Sequence, residues 1–141
     1  MTGRNEHLND ICRKFNIDIL YAFGSLEKSV RDWIAEDLAD LDPGYSDIDI
    51  GVLSAIGAGR SVTEKIFLTQ ALEDFFNVAR VELIDLNEAD PFLAAEVIRG
   101  ERLFARNHHA ADEYDLFVLR RAGDLAPLER ERMDLVLGGP E

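Results

Sequence analysis

Residues 47–53, DIDIGVL, alternate carboxylates with large aliphatic side chains before running on into Gly51 and Val52. An extended strand sorts such a run, because successive strand side chains point to opposite faces. Asp47, Asp49 and Gly51 then share one face of a sheet, and Ile48, Ile50 and Val52 share the other. The aliphatic face needs a covering layer of helices. The acidic face holds two like charges roughly 6–7 Å apart, which repel each other unless a cation lies between them. Mg²⁺ prefers hard oxygen ligands and keeps phosphate oxygens in its shell, so it suits this arrangement. The plainer alternative is an edge strand whose acidic face is merely solvated. A carboxylate pair set among hydrophobic neighbours is costly without a ligand, which favours metal-assisted nucleotide chemistry.

The rest of the chain supplies the covering layers. Residues 3–15 carry helical periodicity, and residues 17–23 (IDILYAF) read as a strand ended by Gly24-Ser25. Ser25 is placed to cap a following helix, whose apolar positions Val30, Trp33, Ile34, Leu38 and Leu41 extend to the Asp42-Pro43-Gly44 turn. After the second strand, Ser61 and Glu64 form a capping-box pattern. The helix it opens offers Ile66, Leu68, Leu72, Phe75 and Phe76 for burial. A third strand spans 80–86 (RVELIDL), a short helix 89–99 stops at Gly100, and 101–106 suggests a fourth strand. Residues 109–137 read as one helix, or two broken near Pro127, with Tyr114, Phe117, Val118 and Leu125 as its apolar stripe. This order predicts an α/β (α+β) fold: a small mixed β-sheet flanked by helices, with a C-terminal helical tail. A length of 141 residues fits a single domain over 1–141, with a core at about 17–105 and the tail at about 109–137.

Composition excludes several functions. The chain has 28 acidic against 15 basic residues, a formal charge of −13, and such a surface repels nucleic-acid backbones. No apolar run approaches the length of a membrane span, and the first ten residues, MTGRNEHLND, hold no signal-peptide core. The expected location is therefore cytoplasmic. The single Cys12 cannot form an internal disulfide and falls on the apolar rhythm of Leu8, Ile11 and Phe15, as a small core residue would. His7, His108 and His109 lack metal-ligand spacing and read as surface residues.

Gly24-Ser25 stands at a strand-to-helix junction, where backbone N–H groups and a hydroxyl can face phosphate. Alone the pair is a commonplace capped turn. In VELIDL, Glu82, Ile84 and Leu86 share one face, while Val81, Leu83 and Asp85 share the other. Alternation leaves open whether Glu82 or Asp85 joins the aspartate pair.

FGS, then SDIDI, then a carboxylate in VELIDL together resemble the minimal nucleotidyltransferase (MNT-type) family of the polymerase-β-like superfamily, over roughly residues 17–105. The tail YDLFVLRRAGDLAPLERER also resembles tails of small MNT-type proteins. The resemblance implies a polymerase-β-like nucleotidyltransferase fold, with Asp47, Asp49 and Glu82 as catalytic residues and as ligands of two Mg²⁺ ions. It implies Gly24, Ser25 and Ser46 as nucleotide-binding residues, with ATP the expected nucleoside triphosphate. It further implies transfer of AMP to a hydroxyl by an antitoxin whose partner is a HEPN-type toxin, with a toxin tyrosine as acceptor. An acidic protein facing a basic RNA-cleaving partner agrees with this role. Self-association stays open.

Two features depart from the family pattern. Residues 26–46 make a long link between the serine and the first acid, and Leu26 stands where a basic residue commonly follows. Reduced or lost catalysis would leave the alternative reading, a non-catalytic MNT-fold antitoxin or binding module that neutralises its partner by occlusion.

Overall fold

Strand β1 (Ile17–Phe23) lies inside the sheet, and its apolar run from Ile19 to Phe23 follows from helices covering both of its faces. In the computed structural model, residues 3–24, 27–35, 47–55 and 60–136 are described. The chain runs α1 (Gly3–Lys14), β1, α2 (Glu27–Ile34), β2 (Asp47–Ser54), α3 (Val62–Phe76), β3 (Arg80–Asp85), α4 (Pro91–Ile98), β4 (Glu101–Ala105) and α5 (His108–Val136). The sheet order is β3-β2-β1-β4. β1 pairs antiparallel with β2 and with β4, and β2 pairs parallel with β3. The parallel pair needs a crossover, which α3 provides. This is the mixed sheet with flanking helices expected from the element order.

Alternation sorts the two cores. On one face Ile48, Ile50 and Val52 join Leu20, Ala22 and Val81 beneath α1, α2 and α3. There Trp33 and Phe75 meet edge to face at 5.3 Å, and Phe75 and Phe76 at 4.9 Å. On the other face Ile19 and Tyr21 pack against Ala94, Ala95 and Val97 of α4 and Ala111, Val118 and Ala122 of α5. Cys12 is fully buried, and burial pushes its thiol up to about 12, so it serves as a core residue.

Ser61 caps α3 by accepting a hydrogen bond from the Glu64 N–H at 3.1 Å. Asp90 caps α4 in the same manner, accepting from the N–H groups of Phe92 and Leu93, with Pro91 pre-set for the first turn. The Tyr21 hydroxyl, on a fully buried ring, donates to Asp115 and ties α5 to the sheet. Arg102 braces the same carboxylate and reaches Asp112 at 2.8 Å. Burial raises the Tyr21 hydroxyl well above its usual range, and the Asp115 hydrogen bond raises it further.

Two expectations need correction. Ile66 is 52% exposed, because α3 turns its Leu68, Leu72, Phe75 and Phe76 side inward. Phe117 is 56% exposed; small residues, Ala111 and Ala122, with Val118, make the buried stripe of α5 and let it approach α4 closely. Gly100 directly follows the α4 C-cap Arg99, as expected of a helix-ending glycine, but its φ is not in the left-handed region. Its reason is space: a Cβ at Gly100 would lie 2.2 Å from the Ala22 carbonyl oxygen. The last helix is one element that passes through Pro127 without a break.

Candidate functional site

The acidic face of β2 is the face on the α4 side of the sheet. Gly51 marks it, because a Cβ there would lie 2.4 Å from Cγ1 of the buried Val97 in α4. Towards the N-terminal end of β2 that cover ends, and Asp47 is exposed while Asp49 is half-buried. The parallel register aligns Asp47 with Arg80 and Asp49 with Glu82. Because the register is even, all four side chains project to the same face. The result is a square of three carboxylates and one guanidinium.

The strand-ending turn meets this square. Phe23 is the register partner of Asp49 on the β1 side, which brings Gly24 against the carboxylate. Gly24 has φ +82, and a Cβ there would lie 2.6 Å from Oδ2 of Asp49. Only glycine combines this backbone conformation with this approach. Ser25 and Ser46, expected to contact nucleotide, lie outside the described residues, as do Leu26 and the acid-rich stretch at 36–46.

Asp85 sits apart. It faces α3, with its Oδ2 at 3.7 Å from Lys65 Nζ and its Oδ1 accepting from the Asn87 N–H at 3.0 Å. Its partners are structural ones. Glu82 is the acid that shares a face with Asp49.

Burial raises the Asp49 carboxyl above its ordinary 3.8, and the charges of Glu82 and then Asp47 raise it further. Folding therefore favours the protonated form. Its stabilising contribution is complete at pH below the ordinary value and is lost as pH climbs through the raised folded value. We expect Asp49→Asn, free of metal, to melt above wild type near neutral pH, with the gap closing as pH falls below the ordinary value of 3.8. Thermal melts across pH in EDTA measure this, and a variant that melts lower at pH 7 would contradict it.

The donor set fits a divalent ion by chemistry: hard oxygens on one face, mutually repulsive, beside a turn of backbone N–H groups. As the side chains stand, no three acidic, His or Cys groups among the described residues converge to hold an ion. Glu82 is engaged elsewhere, its Oε1 at 2.6 Å from Arg80 Nη2. Both side chains are exposed and long, so rotation of Glu82 toward Asp49 meets little resistance. Arg80 carried no signal in the sequence by itself. Its two-residue spacing from Glu82 in a strand was the available clue.

Comparison with known proteins concerns the fold. The structure superposes on a chain of the tri-AMPylated Shewanella oneidensis HEPN toxin in complex with MNT antitoxin, at TM-score 0.68 and 20% identity, covering 97% of this chain and 99% of that one. It superposes on a chain of a toxin–antitoxin complex with AMP-PNP at TM-score 0.70 and 20% identity, covering 94% and 98%. Both likenesses are of fold. No curated protein matches the chain significantly. Residues 6–109, which hold the whole sheet and the acidic square, match the polymerase beta, nucleotidyltransferase family. With this match over most of its length, the chain belongs to the polymerase beta nucleotidyltransferase family.

Proposed function

We propose that this protein is a metal-dependent nucleotidyltransferase that moves AMP from ATP to a tyrosine hydroxyl of a HEPN-type toxin, acting as its MNT antitoxin. The observation that carries the reading is the register that sets Glu82 beside Asp49, with the Gly24 turn against the same carboxylate. The partner is inferred from the complexes that share the fold, one with a tri-AMPylated HEPN toxin and one with AMP-PNP. A charge of −13 disfavours nucleic acid as a substrate. No helix among the described residues is long and apolar enough to cross a membrane, which suits a cytoplasmic role.

In this reading Asp47, Asp49 and Glu82 would hold the divalent ions, with Mg²⁺ the natural choice for hard oxygens and phosphate. Bound there, the metal supplies acidification of the acceptor hydroxyl and neutralisation of the leaving charge. The chain's own groups do the rest. The Gly24–Ser25 turn and Ser46 orient the triphosphate, with backbone N–H groups donating to its oxygens. Glu82 takes the proton as the tyrosine oxygen bonds to the α-phosphorus and the bond to pyrophosphate breaks. That carboxylate lies beside Asp49 in the register, with a side chain 44% exposed and so open to the acceptor.

One observation favours a second reading. With Glu82 engaged by Arg80, the square is not assembled for metal, as occlusion without chemistry would permit. A single experiment separates the two. The purified protein is mixed with the HEPN-type protein encoded beside it, α-³²P-labelled ATP and Mg²⁺. Transfer predicts Mg²⁺-dependent label on a tyrosine of the partner and release of pyrophosphate. Inhibition of the partner with no label from any of the four ribonucleoside triphosphates would leave occlusion in its place.

A further inference from the structure

The acidic square contains a positive charge that the proposed chemistry does not use. Arg80 opens β3, is the register partner of Asp47, and projects to the same face as Glu82 two residues on. Its Nη2 lies 2.6 Å from Glu82 Oε1, a short charge-assisted contact. Neither Asp47 nor Asp49 has an ion pair among the described residues, so Arg80 is the cation that offsets this patch in the absence of metal.

We propose that Arg80 is a positioning residue that holds Glu82 away from the metal position, so that a divalent ion must win Glu82 from the guanidinium and Arg80 thereby sets the metal affinity of the site. The inference rests on the metal-binding reading above. An ion and a guanidinium compete here on similar terms. Both satisfy the same oxygens, but a small doubly charged ion can touch Asp47, Asp49 and Glu82 together, whereas Arg80 engages one of them. The pair is easily released, because Arg80 is 64% and Glu82 44% exposed and solvent screens exposed pairs. A deeply buried pair would block the site; a solvated one tunes it.

The magnitude follows from the exposure. Exposed pairs are weak, so releasing Glu82 in advance should tighten divalent-ion binding by about 3- to 5-fold. The difficulty is that any arginine near a metal weakens binding by simple repulsion. The Glu82 background resolves this. If Arg80 acts by holding Glu82, its removal has nothing to release once Glu82 can no longer be a carboxylate ligand.

The test is Mn²⁺ affinity, measured by electron paramagnetic resonance of the free ion, on the full chain without nucleotide. Five proteins are compared: wild type, Arg80→Gln, Arg80→Lys, Glu82→Gln and the Arg80→Gln/Glu82→Gln double variant. We expect Arg80→Gln to bind Mn²⁺ about 3- to 5-fold more tightly than wild type. In the Glu82→Gln background the same change should alter affinity by less than about 1.5-fold, and Arg80→Lys should fall between wild type and Arg80→Gln. An unchanged or weakened affinity in Arg80→Gln overturns the proposal. So does an equal tightening in both backgrounds, which would make Arg80 a remote charge only. Wild type that binds no Mn²⁺ at millimolar concentration removes the metal-binding reading itself, and this inference with it.

Discussion

Asp49→Asn is expected to lower the transfer rate by about 10³-fold or more while leaving the fold intact, since metal assistance supplies several kcal/mol of transition-state stabilisation. Asp49 is the residue at which the three arguments meet. It pairs with Phe23 on one strand and Glu82 on the other, and the Gly24 turn rests against its Oδ2. An amide keeps the shape and removes the charge, so packing against Gly24 survives while metal binding does not. Asp47→Asn should lose transfer to a comparable extent, although Asp47 is more exposed and tolerates change better. Pyrophosphate release and label transfer measure the loss, and circular dichroism checks the fold. Transfer within tenfold of wild type in both variants would show that these carboxylates do not carry the reaction.

The largest expected effect on stability is at Gly100. Its hypothetical Cβ would stand 2.2 Å from the Ala22 carbonyl oxygen and 2.9 Å from the Cα and Cβ of Phe23. The obstructing atoms are mostly backbone of the central strand, which cannot rotate aside as a side-chain tip can. Gly100→Ala should therefore cost about 3 kcal/mol, as overpacking at a rigid position does. For a chain of this size that is a fall of about 10 °C in Tm. Gly123 makes the control. It lies in α5 with no heavy atom within 4 Å of a Cβ position, so Gly123→Ala should stabilise by about 0.5–1 kcal/mol through lower chain entropy and better helix propensity. Equal melting temperatures for the two variants would refute the steric argument.

What could be read from the sequence follows from what local pattern encodes. Alternation in DIDIGVL and VELIDL separated Glu82 from Asp85 by face, but only the strand register shows that Glu82 is the one beside Asp49. Capping chemistry placed the start of α3, because Ser61 satisfies a backbone donor of its own helix, whereas α4 begins at Pro91 behind the Asp90 cap and not at 89. The misses are tertiary. Nothing local distinguishes Ile66 from Leu68, and only the docking of α3 on the sheet decides which is covered. Gly100 reads as a helix stop, yet its necessity comes from a strand 78 positions earlier in the chain, at Ala22. Arg80 was overlooked for a related reason. A lone arginine at a strand start is ordinary until the register sets it opposite Asp47.

The parallel seam between β2 and β3 has a further consequence for the life of the protein. Asp49 and Glu82 come from distant parts of the chain and meet only after α3 has crossed the sheet and β3 has docked. Such long-range pairing tends to form late. A nascent or clipped polypeptide ending before Arg80 would carry the glycine bend and both aspartates, but no third acid. If the proposed chemistry holds, competence and structural completeness arrive in one step, and a damaged copy is expected to fall silent instead of acting partially.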